Sequence, residues 1–136
     1  MATRKICIVT GTRAEWGLLS SIARELQLLP EVELQIVVTN MHLDPRYGYT
    51  VEEITTQGFT VNAKVEIHNS SADDSDASKV KAMARCCEGM ADALSALSPD
   101  IIVILGDRYE MLAAASSCLI YKIPVAHIAG GEITEG

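Results

Sequence analysis

The sequence predicts an α/β fold, a doubly wound parallel sheet of the Rossmann-like kind. Short apolar runs alternate with helix-like segments, and about half of the 136 residues (49%) are hydrophobic. The runs are continuously apolar rather than alternating, which is typical of parallel strands buried on both faces. Right-handed crossovers between such strands give one domain, and we expect the strand order 3-2-1-4-5.

Each predicted element follows from its own pattern. The predicted strands are apolar runs that end at glycine, proline or polar residues, and they cover residues 5–10, 32–38, 59–65, 101–105 and 125–128. The predicted helices carry apolar residues three and four apart and cover 15–29, 51–57, 78–97 and 108–121. The segments 40–48 and 69–76 are predicted loops, and the second ends in residues that cap helices.

Two of these helices carry specific expectations about burial. The helix over 108–121 is largely apolar, so we expect it to be buried over much of its circumference. Its remaining apolar side predicts association of the isolated chain, and we expect a homo-oligomer. The helix over 78–97 is expected to bury the face that holds Val80, Met83, Ala84, Cys87, Met90, Ala91, Leu94 and Leu97.

Composition excludes several classes of function. The net charge of −7 argues against general binding of nucleic acid or of an anionic membrane. No apolar run approaches the roughly 18 residues of a membrane span, and the amino terminus lacks a signal-peptide core. The four cysteines show neither a CxxC pair nor zinc-ligand spacing, which predicts reduced, buried thiols, no metal site and a cytoplasmic protein.

Three polar, glycine-bearing loops follow strands one, four and five. They cover residues 11–17, 106–110 and 127–132. Open parallel sheets bind ligands beyond the carboxyl ends of their strands, near the point where the strand order reverses. Each loop alone is explained by turn chemistry, or by Asp107 and Glu110 acting as helix caps. Three such loops on one edge favour a binding site.

The loop after strand one suits an anion. The amides of Gly11 and Thr12 precede a helix start, and Arg13 stands at that start. Backbone N–H groups, a helix dipole and a guanidinium together favour phosphate or carboxylate.

The other two loops suit acid–base chemistry. Asp107 is a candidate acid, base or acceptor for a sugar hydroxyl, and Arg108 is either its ion-pair partner or an anion contact. Glu132 follows Gly130 and Gly131, so it is able to approach a ligand closely. We interpret His127 as a buried residue that orients its loop, with direct catalysis as the alternative.

Other conspicuous residues receive plainer interpretations. The chain lacks GxGxxG after strand one and lacks GxxxxGK[ST], which disfavours nicotinamide, flavin and P-loop sites. His42 and His68 are predicted surface residues without metal-ligand partners. Trp16 is predicted to pack in the core, with a sugar-stacking platform as the alternative.

The segments 11–17, 106–110 and 127–132 together resemble the UDP-N-acetylglucosamine 2-epimerases. Ala14, Arg108 and Leu18 stand where the non-hydrolysing branch typically has proline, threonine and lysine. The chain is therefore most similar to the hydrolysing branch that feeds sialic-acid and related nonulosonic-acid synthesis.

The resemblance implies a two-domain enzyme of the glycosyltransferase-B type, of which residues 1–136 are a truncated, Rossmann-like amino-terminal domain. The implied substrate is UDP-N-acetylglucosamine. Elimination of UDP gives a 2-acetamidoglucal, and addition of water then gives N-acetylmannosamine, with no redox cofactor. The alternatives are the same reaction on UDP-diacetamido-bacillosamine or GDP-linked N-acetylglucosamine, a glycosyltransferase-B sugar transfer, and, in another class, a non-catalytic domain that binds a small anion.

The resemblance also implies roles for residues of the three motifs. Asp107 and Glu132 are the essential carboxylates, and His127 supports the chemistry. The implied substrate-binding and nucleotide-binding residues are Gly11, Thr12, Arg13, Glu15, Arg108, Glu110, Gly130 and Gly131.

Overall fold

In a computed structural model, which describes residues 3–68 and 73–129, one parallel sheet organises the chain. Its described strands lie in the order β3-β2-β1-β4-β5 and pair in parallel throughout, which confirms the predicted fold class and strand order. The strands are β1 Arg4–Thr10, β2 Val32–Thr39, β3 Ala63–Val65, β4 Ile101–Leu105 and β5 Val125–Ile128.

The described helices match the predicted ones to within two residues at each end. They are α1 Arg13–Gln27, α2 Val51–Thr56, α3 Asp76–Leu97 and α4 Tyr109–Tyr121. The predicted loop after β2 contains two 3₁₀ turns, Asn40–Leu43 and Pro45–Tyr47. Among the described residues, no helix is long and apolar enough to cross a membrane.

The third strand is shorter than predicted, because its first residues serve the core rather than the sheet. Gly58 turns the chain at a φ of 92°. The ring of Phe59 then packs edge-to-face on Trp16, with their centroids 5.2 Å apart. Trp16 is 2% exposed, so its predicted packing role is confirmed and a sugar platform is excluded.

The helices cover both faces of the sheet, and each face has its own hydrophobic core. On one side α1 and α2 bury Leu19 and Ile54 against the β1 side chain of Ile8. On the other side α3 and α4 bury Met90 and Met111 against Val9, which follows Ile8 in β1. Since consecutive strand residues point to opposite faces, β1 contributes to both cores.

The predicted buried face of α3 is only partly right. Met90 and Leu94 are buried, whereas Val80 is 64% exposed. A Cβ on Gly89 would lie 2.5 Å from Cγ1 of Val65, so the helix axis runs close to the sheet at this point. A small residue is therefore needed at this point of closest approach, and large apolar residues alone do not mark the buried side. Ala84, Cys87 and Ala91 are also exposed, and the buried residues of α3 include Ala82, Cys86 and Ala93.

Helix α4 is buried on one side and open on the other. Met111 and Cys118 are buried, but Leu112, Leu119 and Ile120 are 59, 76 and 79% exposed. The expectation of burial over much of the circumference is wrong for this outer face. Its apolar character fits the expected association of the chain, which stays a prediction.

The cysteines are free thiols, as predicted. Cys7, Cys86 and Cys118 are buried, and burial raises the pKa of the Cys7 thiol to about 12. Cys87 is exposed on α3, so the prediction of four buried thiols is wrong at this position.

Candidate active site

The carboxyl ends of β1, β2 and β4 carry a layer of buried polar side chains. These include Thr10, Glu15, Asn40, His42 and Glu110, each at most 6% exposed. A buried polar group costs free energy unless it is paired, and most of these groups bond across loops. The layer joins the segments that follow β1, β2 and β4 into one structure beneath the edge of the sheet.

The turn from β1 into α1 is closed by a capping box. Thr12 is the helix N-cap, and its hydroxyl accepts a hydrogen bond from the Glu15 amide at 3.1 Å. In return, Oε1 of Glu15 accepts from the amides of Gly11 and Thr12 at 2.9 and 3.2 Å. The expected offer of these two amides to an anion is therefore wrong, since a carboxylate of the chain already holds them. Within the described residues, the first-turn amides of Arg13 and Ala14 remain available.

Glu110 lies beneath this turn and is fully buried. Its Oε1 accepts from Nε of Arg108 at 2.8 Å. A Cβ on Gly11 would lie 2.6 Å from the same oxygen, so glycine is required there by the close approach of the carboxylate. The N-cap of α4 is Arg108, without a side-chain cap bond, so the alternative in which Asp107 and Glu110 cap this helix is wrong.

Glu15 and Glu110 are two buried acids that lie near one cation, the guanidinium of Arg108. Burial is the largest cause of the raised pKa of Glu15, and the charge of Glu110 raises it further. The amide of Gly11 and the guanidinium of Arg108 act in the opposite direction. Burial alone would lower the pKa of Arg108, but the charge and hydrogen bond of Glu110 leave it above its usual value. These residues hold the loops after β1 and β4 together.

Three predicted site residues form an exposed rim above the buried layer. Asp107 is exposed, and its carboxylate has no hydrogen-bond partner among the described residues. Arg13 is 73% exposed and pairs through Nε with Glu53 at 3.1 Å. His127 is exposed rather than buried, and its Nε2 lies 2.6 Å from the carbonyl oxygen of Gly106.

The contact of His127 joins the ends of two strands. A carbonyl oxygen only accepts, so Nε2 carries the ring proton and Nδ1 is left open. The amide of Gly106 donates to the carbonyl of Ile128 at 2.9 Å, which adds a second tie between the same segments. The loops after β4 and β5 therefore meet, as predicted. Gly130, Gly131 and Glu132, predicted to complete this loop, lie outside the described residues.

The family model described as UDP-N-acetylglucosamine 2-epimerase matches residues 24–136. The chain belongs to this family. A GDP/UDP-N,N'-diacetylbacillosamine 2-epimerase (hydrolyzing) of Campylobacter jejuni subsp. jejuni is 46% identical over 100% of this chain and 35% of its own length. A UDP-N,N'-diacetylbacillosamine 2-epimerase (hydrolyzing) of Legionella pneumophila subsp. pneumophila is 40% identical over 95% of this chain and 34% of its own length. The predicted likeness to the hydrolysing branch is confirmed.

A solved structure of this family shares the fold. The Methanocaldococcus jannaschii UDP-GlcNAc 2-epimerase, in complex with UDP-GlcNAc and UDP, superposes with a TM-score of 0.75 at 26% identity. The match covers 93% of this chain and 33% of that one. This chain thus spans about a third of the length of the curated relatives it matches.

The loop after β2 brings residues to the site that the sequence analysis placed elsewhere. His42 is fully buried, with Nε2 3.0 Å from the Thr10 hydroxyl and Nδ1 2.9 Å from the Thr50 hydroxyl. Burial lowers its pKa to about 4, so the ring is neutral at physiological pH. The predicted surface position of His42 is wrong, because two threonine hydroxyls remove the cost of burying both ring nitrogens.

His68 is also partly withdrawn from solvent. Its side chain is 25% exposed, and Nε2 lies 2.6 Å from Oδ1 of Asn40. Burial lowers the pKa of His68, while the nearby charge of Asp44 opposes that shift. No group of three or more His, Cys, Asp or Glu in the described ranges 3–68 and 73–129 has the geometry of a metal site.

Proposed function

We propose that this chain forms the amino-terminal, Rossmann-like part of a two-domain hydrolysing 2-epimerase that acts on a nucleotide sugar. The observation that carries the proposal is the meeting of the motif loops at one sheet edge. The ion pair of Arg108 with Glu110 lies against Gly11, and His127 contacts Gly106. The two hydrolysing relatives support it, since the fold alone does not imply a function.

We further propose UDP-N,N'-diacetylbacillosamine as the substrate. The relatives at 46 and 40% identity are both named for that sugar. UDP-N-acetylglucosamine is the second candidate, supported by the family description and by the Methanocaldococcus jannaschii complex. Both sugars carry an acetamido group at C2, so the same reaction serves either.

The proposed reaction has two steps. A base removes the C2 proton while the bond from C1 to the UDP oxygen breaks, giving a 2-acetamidoglucal and UDP. Water then adds across the double bond, with hydroxyl at C1 and a proton at C2 on the opposite face. The free sugar leaves as the C2 epimer, and no electrons are exchanged with a redox partner.

Asp107 is the carboxylate best placed for acid–base work. It is exposed at the carboxyl edge and unpaired among the described residues. Glu15 and Glu110 are committed to holding the loops, through the Gly11 amide and the Arg108 guanidinium. The second carboxylate is assigned to Glu132, on the sequence alone. His127 positions the loop that carries Asp107.

Cations and helix amides are assigned to the leaving diphosphate, whose developing charge they stabilise. Arg13 and Arg108 stand at the starts of α1 and α4, and their side chains are 73 and 36% exposed. The open amides of Arg13 and Ala14 add the dipole of α1.

The test is turnover in D2O by the complete polypeptide that carries this sequence, with each of the two UDP sugars. We expect UDP and a free 2-epimer, with one deuterium at C2 because that proton comes from solvent. A product without deuterium contradicts the elimination. Formation of a glycoside on an added acceptor, with no free epimer, indicates sugar transfer instead. The oligomeric state and the cytoplasmic compartment stay predictions.

A further inference from the structure

The loop after β2 places a buried asparagine side chain in the wall of a small cavity. Asn40 is 1% exposed, and its Nδ2 has no hydrogen-bond partner at bonding distance in the described part of the chain. The side chain nevertheless approaches the Tyr109 hydroxyl, where it opposes the rise in the pKa of Tyr109 that burial causes. Its Oδ1 contacts Nε2 of His68 at 2.6 Å, and the Asp44 carboxylate lies 3.9 Å from the same nitrogen. A nearby carboxylate favours the proton on that nitrogen, so His68 donates and Oδ1 accepts. The unpaired end of the amide is therefore the donor.

The backbone conformation of Asn40 is a second unfavourable feature, beside the unpaired amide donor. Its φ is 53°, in the left-handed region that few residues other than glycine adopt readily, although asparagine tolerates it. A strained residue with an unpaired buried donor persists where the surrounding structure requires it, and such residues cluster at ligand sites.

The cavity next to Asn40 has a volume of about 110 Å³. A cavity of this volume holds several water molecules, so the space suits a small substituent of a ligand. Its lining includes Met41 and Ala82, which give it apolar surface, and Tyr109, which carries a hydroxyl group. Arg108 lies in the same wall and follows Asp107 directly, so the cavity adjoins the proposed reaction site.

The charges around the cavity favour a neutral ligand group over a phosphate. Arg46 is held by Asp44, at 2.8 Å between Nη2 and Oδ2. Only Nε of Arg108 is held by Glu110, at 2.8 Å, which leaves its other guanidinium nitrogens for the proposed diphosphate contact. Lys79 shares the lining with Asp73 and Asp74, so positive charge is offset there as well. A compact, uncharged acceptor that also carries a methyl group matches this lining.

We propose that the cavity binds an acetamido substituent of the sugar, with Nδ2 of Asn40 donating to its carbonyl oxygen and its methyl group against Met41 and Ala82. This inference rests on the proposed function and makes Asn40 a determinant of substrate specificity. The acetamido group is either that at C2, present in both candidate sugars, or that at C4, present only in N,N'-diacetylbacillosamine.

Two substitutions separate the effect of the Nδ2 hydrogen bond from the effect of the positive φ at position 40. Asn40→Gly removes the side chain and accepts the positive φ without strain. Asn40→Asp keeps the size and the acceptor for His68 but replaces the donor by a second acceptor. Ser98→Gly is the matched control, because Ser98 is exposed, has a φ of 45° and precedes β4 at the opposite edge of the sheet.

The experiment measures the affinity of the complete polypeptide for UDP-N,N'-diacetylbacillosamine and UDP-N-acetylglucosamine by calorimetry, with circular dichroism to verify folding. We expect both Asn40 variants to lose about tenfold in affinity, as for one buried hydrogen bond, and Ser98→Gly to match the wild type. A loss confined to the diacetylated sugar assigns the C4 group, and an equal loss for both sugars assigns the C2 group.

Wild-type affinity for both sugars in the two folded Asn40 variants would overturn the inference, and the cavity would then hold only water. In that case normal wild-type turnover leaves the proposed function intact. A wild-type protein that binds neither sugar contradicts the proposed function and this inference together.

Discussion

The polar residues at the carboxyl edge of the sheet form two regions with opposite surroundings. The buried layer includes Glu15 and Glu110, whose carboxylates hold backbone amides or a guanidinium. The exposed rim consists of Arg13, Asp107 and His127. Asp107 and Glu110 come from one motif and are three residues apart, yet one is exposed and the other fully buried.

The start of α4 explains this difference. Glu110 lies in the first turn of the helix and points inward, whereas Asp107 precedes the N-cap and lies on the loop. Within this one motif, the carboxylate of Glu110 thus holds two loops together, whereas the carboxylate of Asp107 is in contact with solvent. We expect substitutions in the rim to change activity and substitutions in the layer to change stability.

Asp107→Asn tests the rim and should give the largest effect. We expect kcat/KM of the complete polypeptide to fall about 10²- to 10⁴-fold, as for loss of a general acid or base. The free energy of unfolding should change by less than about 0.5 kcal/mol, because the side chain is exposed. Release of UDP and urea unfolding provide the two measurements.

Asp92→Asn is the matched control, since Asp92 is an exposed acid on α3. It should leave both quantities unchanged. Full activity in folded Asp107→Asn protein would remove Asp107 from the chemistry.

His42 tests the layer through pH. Its folded pKa of about 4 lies below the usual 6.5, so the unfolded chain binds the proton more readily. The stability from neutral His42 is fully present above pH 6.5 and is lost as the pH falls towards 4. The shift corresponds to at most about 3 kcal/mol.

The measurement is the free energy of unfolding from pH 7 to pH 4 for the wild type and His42→Asn. The variant should be less stable at pH 7 and should depend less steeply on pH across this range. Parallel curves for the two proteins would show that His42 does not titrate between its folded and unfolded values.

Local patterns predicted most of the fold, because apolar runs and helix spacing depend on neighbouring residues. The ends of β4 and β5 agree with the sequence prediction to the residue. The buried face of α3 was predicted only in part, because its contact with the sheet includes the close approach of Gly89 and Val65, which are far apart in the chain. Apolar periodicity does not report such a close approach.

The meeting of the segments after β4 and β5 at the carboxyl edge was predicted, but the buried contacts beneath that edge were not. The segment Thr12 to Glu15 has the Thr-x-x-Glu signature of a capping box, so that contact was readable. The burial of His42 could not be read from the sequence, since its partners Thr10 and Thr50 come from separate elements. Asn40 carried no signal, because its positive φ and unpaired donor are tertiary properties.

Gly11→Ala tests the layer by sterics alone. The new Cβ would meet Oε1 of Glu110 at 2.6 Å, and we expect a loss of about 1–3 kcal/mol in unfolding free energy. Gly17→Ala is the control, since Gly17 is exposed in α1 and its Cβ would meet nothing within 4 Å. The free energy of unfolding of that variant should rise by about 0.5–1 kcal/mol. Equal stability of the two variants would show that Glu110 yields without cost.

Arg13 tests whether the exposed rim extends to α1. Its pair with Glu53 joins side chains that are 73 and 43% exposed, so we expect Arg13→Ala to cost about 0.2–1 kcal/mol. Calorimetry with UDP should show weaker binding for Arg13→Ala than for Glu53→Gln, because only the first removes a cation from the proposed diphosphate contact. Equal UDP affinity in both variants would leave Arg13 as a surface cation paired with Glu53. A stability loss above about 2 kcal/mol would place it with the buried layer, and the separation of the two regions would then fail at α1.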